Sequence, residues 1–323
     1  MNDEESGETT ALLKHPVAPV KKEMLGLLSM ALSAIFFSLM SVLVKVSGTD
    51  FPVMQIVFSR SLIQMIAAAI YCICMRMNPF GPCQKRKLLF FRGLAGSVSL
   101  AIYFFVLVNM PLGDGITLFF VNPAFTAVAA SIFLNEPFTW MDLSSVIICL
   151  AGVAFVSRPQ FLFGSSELNP HYPLPVWIPT SLALFSALIS ALAYCIVRAV
   201  GKSVHFMIHV FYFGFISTLF SGFMLYSGLC DDPLPIFSWT IDQWMCIFGV
   251  GAFAFMAQCC LNYGLQLSNA GPATLMRNLD VVFAFLFGLL IFDEKLNFFS
   301  VLGASMIVGG TAFVVLVKWY QTL

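Results

Sequence analysis

Apolar residues are gathered in ten long runs along the chain, and short polar connections separate the runs. A helix needs roughly 20 apolar residues to cross the hydrocarbon core of a bilayer, and each run is about that long. The predicted transmembrane helices are residues 24–44, 52–75, 89–109, 112–134, 142–158, 175–198, 206–228, 242–266, 271–292 and 297–319. The pattern therefore predicts an all-α polytopic membrane protein with ten transmembrane helices.

The second half of this pattern repeats the first. At a separation of 158 positions, Gly113 matches Gly271, Phe125 matches Phe283, and Glu136 matches Glu294. At a separation of 153 positions, Ser33 matches Ser186, Val44 matches Val197, and Lys45 matches Arg198. Five helices in each half is an odd number, so the two halves must have opposite orientations in the membrane. The sequence predicts two inverted repeats, residues 24–158 and 175–319, joined by an outer loop at 159–174.

The distribution of Lys and Arg predicts the orientation of the repeats. With a cytosolic N-terminus, the inner set is Lys14, Lys21, Lys22, Arg76, Lys85, Arg86, Lys87, Arg92, Arg198, Lys202 and Lys318, and the outer set is Lys45, Arg158 and Lys295. Cytosolic segments of membrane proteins carry such an excess of basic residues. Residues 1–23 form a polar tail before the first apolar run. Because a cleavable signal peptide has its apolar segment near the N-terminus, we expect none here. We expect this tail and the C-terminal residues 320–323 to be cytosolic.

Composition excludes most other classes of protein. A mean hydropathy of +0.91, with 59% hydrophobic and only 10% charged residues, leaves no room for a soluble domain. The sequence contains no Gly-rich phosphate loop, zinc-protease motif or nucleophile elbow. The pair Cys72 and Cys74 has no histidine or second cysteine pair beside it, which is too sparse for a metal site. We expect neither an enzyme nor a bound metal or cofactor.

Three charged side chains fall at membrane depth, namely Arg60 in the second helix and Arg277 and Asp280 in the ninth. Each costs roughly 2.5–3.5 kcal/mol on insertion scales, so each needs a partner or a role. Arg277 and Asp280 are three residues apart and are predicted to pair on one helix face. Arg60 then remains unmatched, and its guanidinium suits a carboxylate or phosphate. The alternative is that Arg60 donates to helix carbonyls or reaches Asp280.

Uncharged polar residues near the middles of several helices are predicted to line the same cavity. Asn122 is the repeat mate of Asp280, and Pro123 after it weakens the fourth helix at this depth. The complete predicted substrate-binding set is Arg60, Gln64, Tyr103, Asn122, Gln258, Asn262, Tyr263, Arg277 and Asp280. The alternative for the uncharged members is that they join helices through hydrogen bonds worth about 0.6 kcal/mol each.

The sequence leaves two mechanisms of coupling open. His209 is the only histidine inside a predicted span and titrates in the physiological range, and Asp280 can alternate between pairing and carrying a proton. Exchange of one anion for another needs neither residue. Glu136 and Glu294 follow helix ends at the membrane surface, which indicates helix-junction or gate residues rather than substrate ligands.

Several motifs resemble the drug/metabolite transporter superfamily of the EamA type, and more closely the G subfamily of solute carrier family 35. The similar segments are residues 158–164 (RPQFLFG), 201–204 (GKSV), 270–272 (AGP), 279–285 (LDVVFAF) and 318–321 (KWYQ). The resemblance covers nearly the whole chain from about Leu25. It implies a polytopic carrier of organic anions, with carboxylates such as citrate implicated. Arg277 stands where the family is expected to have Lys, which keeps the charge and changes the geometry.

We therefore expect a secondary active transporter that moves a small organic anion by alternating access. Helices one to four and six to nine would surround the cavity, and helices five and ten would flank it. The alternatives are a nucleotide-sugar or other metabolite antiporter, which demands a larger cavity, and a regulatory membrane protein, which would tolerate loss of Arg60 and Arg277. The predicted location is the plasma membrane or an endomembrane such as the ER or endolysosome.

The N-terminal tail carries one further motif. Glu8, Leu12 and Leu13 match an acidic dileucine pattern, which predicts a clathrin adaptor as partner. The other predicted partners are the anionic substrate and membrane lipid, a homodimer is compatible with the sequence, and no nucleic acid is expected.

Overall fold

The structure is a computed structural model, and it describes residues 20–47, 51–109, 115, 118–136, 139–157, 174–175, 177–227, 239–292 and 298–320. Its helices are α1 Val20–Ser47, α2 Val53–Cys74, α3 Arg86–Asn109, α4 Asn122–Leu134, α5 Trp140–Ser157, α6 Trp177–Val200, α7 Phe206–Tyr226, α8 Ile241–Leu267, α9 Ala270–Met276, α10 Leu279–Phe292 and α11 Phe298–Tyr320. Every regular element among the described residues is helical, which agrees with the predicted all-α class.

Six of these helices, α1, α2, α3, α6, α7 and α8, are long and apolar enough to cross a membrane. Helices α4, α5 and α11 are apolar and shorter in their hydrophobic part. Large apolar side chains cover much of the outer surface, and Trp140 and Leu290 are 86% and 78% exposed. A surface of this kind is stable against lipid rather than water.

The predicted ninth helix is not continuous, and this part of the sequence prediction is wrong. Arg277 and Asn278 lie in a turn between α9 and α10. The amides of Arg277 and Asn278 donate to carbonyls three residues back, at 3.1 and 3.0 Å. Tight bonds of this type satisfy the backbone where regular α-helical bonding stops. The interruption contains no proline, the residue that marks the start of α4 at Pro123. The sequence therefore predicted a continuous helix here.

The predicted fourth helix is also interrupted, at the equivalent place. Residues 120 and 121 form a turn, and α4 begins at Asn122 with Pro123 at its start. Proline has no backbone N–H and is tolerated in the first turn of a helix, so Pro123 marks the new start. Both interruptions therefore lie beside the repeat mates Asn122 and Asp280.

Helix packing follows the repeat. Helix α1 packs against α8 as α3 packs against α6, and α4 contacts α6 as α10 contacts α1. The pairs α2–α7 and α5–α11 each join equivalent helices of the two halves. Gly152 and Gly303 permit the second of these contacts, because a Cβ at Gly152 would lie 2.7 Å from the Gly303 carbonyl oxygen. The chain thus has two-fold related contacts between its halves.

Candidate functional site

A cavity of about 560 Å³ lies between α1, α2, α3, α6, α7, α8 and α10, and residues just before α4 and between α9 and α10 complete its wall. Aromatic and aliphatic side chains form most of the lining. The polar members are Ser38, Ser41, Arg60, Arg92, Ser99, Tyr103, Ser190, Tyr194, Gln258, Arg277 and Asp280. No lining residue belongs to α5 or α11 as far as the structure describes them, so these two helices flank the cavity.

Arg277 occupies the interruption between α9 and α10 and is held by three contacts. Its Nη1 donates to the hydroxyl of Tyr194 at 2.7 Å, and its Nη2 lies 3.8 Å from Oδ2 of Asp280. Its guanidinium carbon is 4.3 Å from the ring centroid of Phe37, in a cation–π arrangement. The predicted pairing of Arg277 with Asp280 is therefore confirmed.

Asp280 is also bound from α1. The hydroxyl of Ser38 donates to Asp280 Oδ1 at 2.6 Å and lies 2.8 Å from the Asp280 backbone carbonyl oxygen. A buried carboxylate needs such donors as well as an opposite charge. The first turn of α10 is thus tied to both the preceding interruption and α1.

Arg60 projects into the cavity from the first half of α2 and is 4% exposed. Its Nη1 lies 3.3 Å from Sδ of Met40, and its buried Nε has no hydrogen-bond partner. Within the described part of the chain it bonds neither to a helix carbonyl nor to Asp280. The two alternatives that the sequence allowed for Arg60 are therefore not observed in this conformation.

Arg92 is the charged residue of the described lining that the sequence prediction missed. The charge pattern assigned it to the cytosolic basic cluster, but α3 begins at Arg86, so Arg92 lies nearly two turns inside the helix and is only 2% exposed. Its spacing held a usable signal. Arg92, Gly96, Ser99 and Tyr103 recur at intervals of three and four residues, which places them on one helix face, and all four line the cavity.

The surroundings of Arg92 are uncharged among the described residues. Its Nη2 donates to Oδ1 of Asn262 at 3.0 Å and lies 3.3 Å from Oε1 of Gln258. Its guanidinium carbon is 4.9 Å from the ring centroid of Phe213. The described lining thus carries three guanidinium groups and one carboxylate, an excess of two positive charges where the sequence predicted one.

Four of the other predicted site residues lie at the cavity or directly beside it. Tyr103 and Gln258 line the cavity. Asn122 borders a small adjoining cavity of about 10 Å³, and its Nδ2 donates to Oγ of Ser190 at 2.8 Å. Asn262 is fully buried behind Arg92.

Three predicted residues lie away from the cavity. Gln64 joins α2 to α7, because its Nε2 donates to the carbonyl oxygen of Val210 at 3.1 Å. Tyr263 packs against Phe206, with ring centroids 5.4 Å apart. His209 is completely buried, and neither ring nitrogen has a hydrogen-bond partner.

An ion pair joins the ends of α4 and α6 to the start of α9. Arg198, at the end of α6, donates from Nε to Oε1 of Glu136 at 2.7 Å, and Glu136 Oε2 accepts the backbone N–H of Ala270, the first residue of α9, at 2.8 Å. Asn135 ends α4 with a left-handed conformation, φ 51°, which turns the chain and places Glu136 there. The acidic mate Glu294 lies outside the described residues.

Comparison with known proteins fits this architecture. Residues 24–158 and 178–316 each match the EamA-like transporter family. The chain belongs to the EamA-like transporter family. Solute carrier family 35 member G1 of Homo sapiens is 32% identical over 300 residues, which cover 92% of this chain and 80% of that protein. The resemblance to this subfamily is therefore confirmed.

More distant relatives extend the comparison. The pseudopaline exporter of Pseudomonas aeruginosa is 25% identical over 283 residues, which cover 88% of this chain and 93% of that protein. A solved crystal structure that is 14% identical covers 91% of this chain and 98% of its own with a TM-score of 0.73, a likeness that concerns the fold alone. This EamA-family chain is a multi-pass integral membrane protein of the transporter class.

Proposed function

We propose that this EamA-family transporter moves a small organic anion, a carboxylate such as citrate, by alternating access. The observation that carries the proposal is the excess of guanidinium groups in the cavity, where the described lining has Arg60, Arg92 and Arg277 but one carboxylate, Asp280. Charged groups inside a membrane protein mark substrate or ion pathways. A carboxylate can accept two parallel hydrogen bonds from one guanidinium.

The dimensions of the cavity suit such cargo. Its volume of about 560 Å³ lies within the range of about 300–1,000 Å³ for small-molecule sites, which are mostly apolar with a few placed polar groups. The buried Nε atoms of Arg60 and Arg277 have no hydrogen-bond partner. A bound anion supplies the missing acceptors and compensates charge that is costly to enclose.

The helix arrangement supports alternating access between two inverted repeats. We take the six long apolar helices, the three shorter ones and the interrupted pair α9–α10 as ten spans in this proposal. Five spans in each half reverse the second half relative to the first, and related contacts join the halves. Interrupted helices at the repeat interface are where such carriers place substrate. We further propose that both termini are cytosolic, as the basic residues indicate.

The structure corresponds, on this proposal, to the outward-facing conformation. The cavity reaches Val44 at the end of α1 and Phe104 in the last part of α3. The opposite end is closed by the ion pair of Glu136 with Arg198. With a cytosolic N-terminus, the first end faces away from the cytosol and the second faces it. Reopening the second end then delivers the cargo to the cytosolic side.

Two coupling schemes accompany this mechanism. Asp280 contacts Arg277 and Ser38 inside the cavity, so protonation there would release Arg277 for the anion. His209, the other predicted coupling residue, lies outside the cavity lining, and exchange of one anion for another requires neither group. The sorting motif at Glu8, Leu12 and Leu13 lies outside the described residues, and its adaptor partner stays a prediction.

The proposal is tested by uptake of labelled citrate and succinate into proteoliposomes. Uptake is measured with and without preloaded anion and with and without a pH gradient. We expect saturable uptake that Arg277→Ala abolishes while the protein still inserts and folds, and the gradient dependence separates proton coupling from exchange. Absence of uptake of either anion by folded wild-type protein under every condition would contradict the carboxylate proposal and direct the same assay to nucleotide sugars.

A further inference from the structure

Arg92 is a buried cation whose role neither the family match nor the sequence pattern assigns. It comes from α3, whereas Arg60 comes from α2 and Arg277 from the α9–α10 interruption. The three guanidinium groups share no hydrogen-bond partner among the described residues. We propose that Arg92 is a second unmatched cation of the site and that it selects cargo with two separate anionic groups. This inference rests on the proposed function.

The charge balance carries the first step. Asp280 lies 3.8 Å from Arg277 and offsets its charge, which leaves Arg60 and Arg92 without a counter-charge among the described lining residues. A monoanion would leave one positive charge enclosed when the cavity closes. A dianion makes the described set neutral. Because an uncompensated buried charge is costly, the dianion is the cargo that best permits closure.

The second step concerns the hydrogen bonds that Arg92 still lacks. Its Nε and Nη1 are buried and have no partner, whereas its Nη2 is used by Asn262 and Gln258. Unpaired N–H groups of a buried guanidinium are donors that a carboxylate accepts strongly. Arg92 is therefore anchored on one side and keeps two unpaired donors, which an anion reaches once the side chains that cover them shift.

The third step is the fixed orientation of that anchor. Nδ2 of Asn262 donates to the backbone carbonyl oxygen of Gln258 at 2.7 Å, so Oδ1 of Asn262 faces Arg92. Gly96 leaves the remaining room, since a Cβ there would lie 2.9 Å from the Phe213 ring and 3.5 Å from Nη1 of Arg92. Asn262 and Gln258 are thus positioning residues that hold Arg92 without neutralising it.

The test compares two probes with the same carbon skeleton and different charge, succinate and its monomethyl ester. Transport of each by wild-type proteoliposomes gives a ratio of kcat/KM values. We expect wild type to favour succinate by about tenfold to a hundredfold, the range of one hydrogen bond to a charged group. In Arg92→Gln this preference falls to within about twofold while the monoester is still transported. Arg92→Lys restores part of the preference, because it restores the charge.

Two variants make the result specific. Arg86→Gln removes an exposed guanidinium from the same helix and keeps the wild-type ratio. Asn262→Asp is nearly isosteric and places a carboxylate beside Arg92, so it lowers the succinate preference as Arg92→Gln does. If both Arg92→Gln and Asn262→Asp reduce transport of the two probes equally, Arg92 is structural and the inference is overturned.

A binding measurement decides the matter if those variants do not fold. Succinate should raise the unfolding temperature of wild-type protein in detergent more than the same concentration of its monoester, because stabilisation follows affinity. Equal stabilisation by the two probes overturns the role of Arg92. If wild-type protein neither transports nor binds either probe, the proposed function itself fails, and this outcome is distinct from a carrier that transports both without preference.

Discussion

Two ends of the cavity are built from equivalent segments of the two repeats, yet they are packed differently. The open end is formed where α1 and α3 finish and α2 begins, and the closed end where α6 and α8 finish and α7 begins. Val44 and Phe104 line the cavity at the open end and are partly exposed, and their repeat mates are Val197 and Asn262. Both mates are completely buried. One scaffold thus supports both a packed and an unpacked end, which is the property that the proposed alternating access requires.

The charges, in contrast to the scaffold, are not repeated. The repeat mates of Arg60, Arg92 and Arg277 are Phe213, Val250 and Phe119. Phe213 and Phe119 also line the cavity, and Phe213 lies beneath the guanidinium of Arg92. For Arg60 and Arg277, equivalent positions therefore supply a cation from one half and an aromatic surface from the other. On the proposed mechanism a single set of arginines serves both conformations, because the three mates carry no cation.

Arg60→Ala should have the largest effect, because it removes the positive charge that Arg60 has and its repeat mate Phe213 lacks. Truncating a buried charged contact costs about 2–5 kcal/mol, so we expect uptake of labelled succinate to fall at least about thirtyfold. Arg86→Ala removes an exposed arginine from α3 and serves as the matched control. Uptake close to wild type in Arg60→Ala, at equal amounts of folded protein, would show that Arg60 does not bind the anion.

The different predictability of these arginines has a physical cause. Arg277 and Asp280 were found because charged residues inside an apolar run are conspicuous in the sequence, and their spacing of three still allows the pair although the helix is interrupted at Arg277. Arg92 was missed because it follows Arg86 and Lys87 closely, and local charge density does not show where α3 begins. At the interruption, Arg277 contacts Tyr194, which is 83 residues away in the sequence and is brought there only by the fold. Local pattern therefore predicted the helices, and tertiary contacts decided the site.

Cysteine labelling sharpens the comparison of the two ends. Val44→Cys should react with a water-soluble thiol reagent about tenfold or more faster than Val197→Cys, because Val44 lines the cavity and Val197 is 0% exposed. The modified fraction is measured by mass spectrometry of the peptide that contains the new cysteine, in detergent-solubilised protein. This readout separates the new cysteine from the native ones, of which Cys74 and Cys83 are exposed among those described. Equal rates would mean that the two ends open equally often.

Glu136→Gln should loosen the closed end. It weakens the ion pair with Arg198, whose Nε lies 2.7 Å from Oε1, and the bond from the Ala270 N–H at 2.8 Å. The pair is partly exposed, so its loss is worth about 1 kcal/mol, or about a fivefold shift toward opening. Labelling of Val197→Cys should increase by that factor.

Asp142→Asn is the matched control for the closed end, because the Asp142 carboxylate bonds at its own helix start to Thr139. It should leave the labelling of Val197→Cys unchanged. An increase in Asp142→Asn as large as in Glu136→Gln would indicate a general effect of removing negative charge from this part of the chain.

The smallest expected effect is the difference in stability between two variants that each lose one of two related hydrogen bonds. Asn122 and Asp280 are repeat mates, and each bonds to a serine of the neighbouring helix, Asn122 Nδ2 to Ser190 Oγ at 2.8 Å and Ser38 Oγ to Asp280 Oδ1 at 2.6 Å. The first bond joins neutral groups and should contribute about 0.6 kcal/mol. The second has an ionised acceptor, and such bonds are roughly twice as strong.

Ser38→Ala should therefore lower the free energy of unfolding in mixed micelles about twice as much as Ser190→Ala. The difference has a functional meaning, because Ser38 also holds the carboxylate that offsets Arg277. Releasing Asp280 from Ser38 leaves it bound to Arg277 alone, which strengthens its competition with an incoming anion. Ser38→Ala should accordingly raise the KM for succinate while Ser190→Ala leaves it within about twofold. Equal effects of the two variants on both stability and KM would mean that Asp280 is uncharged or that Ser38 does not control it.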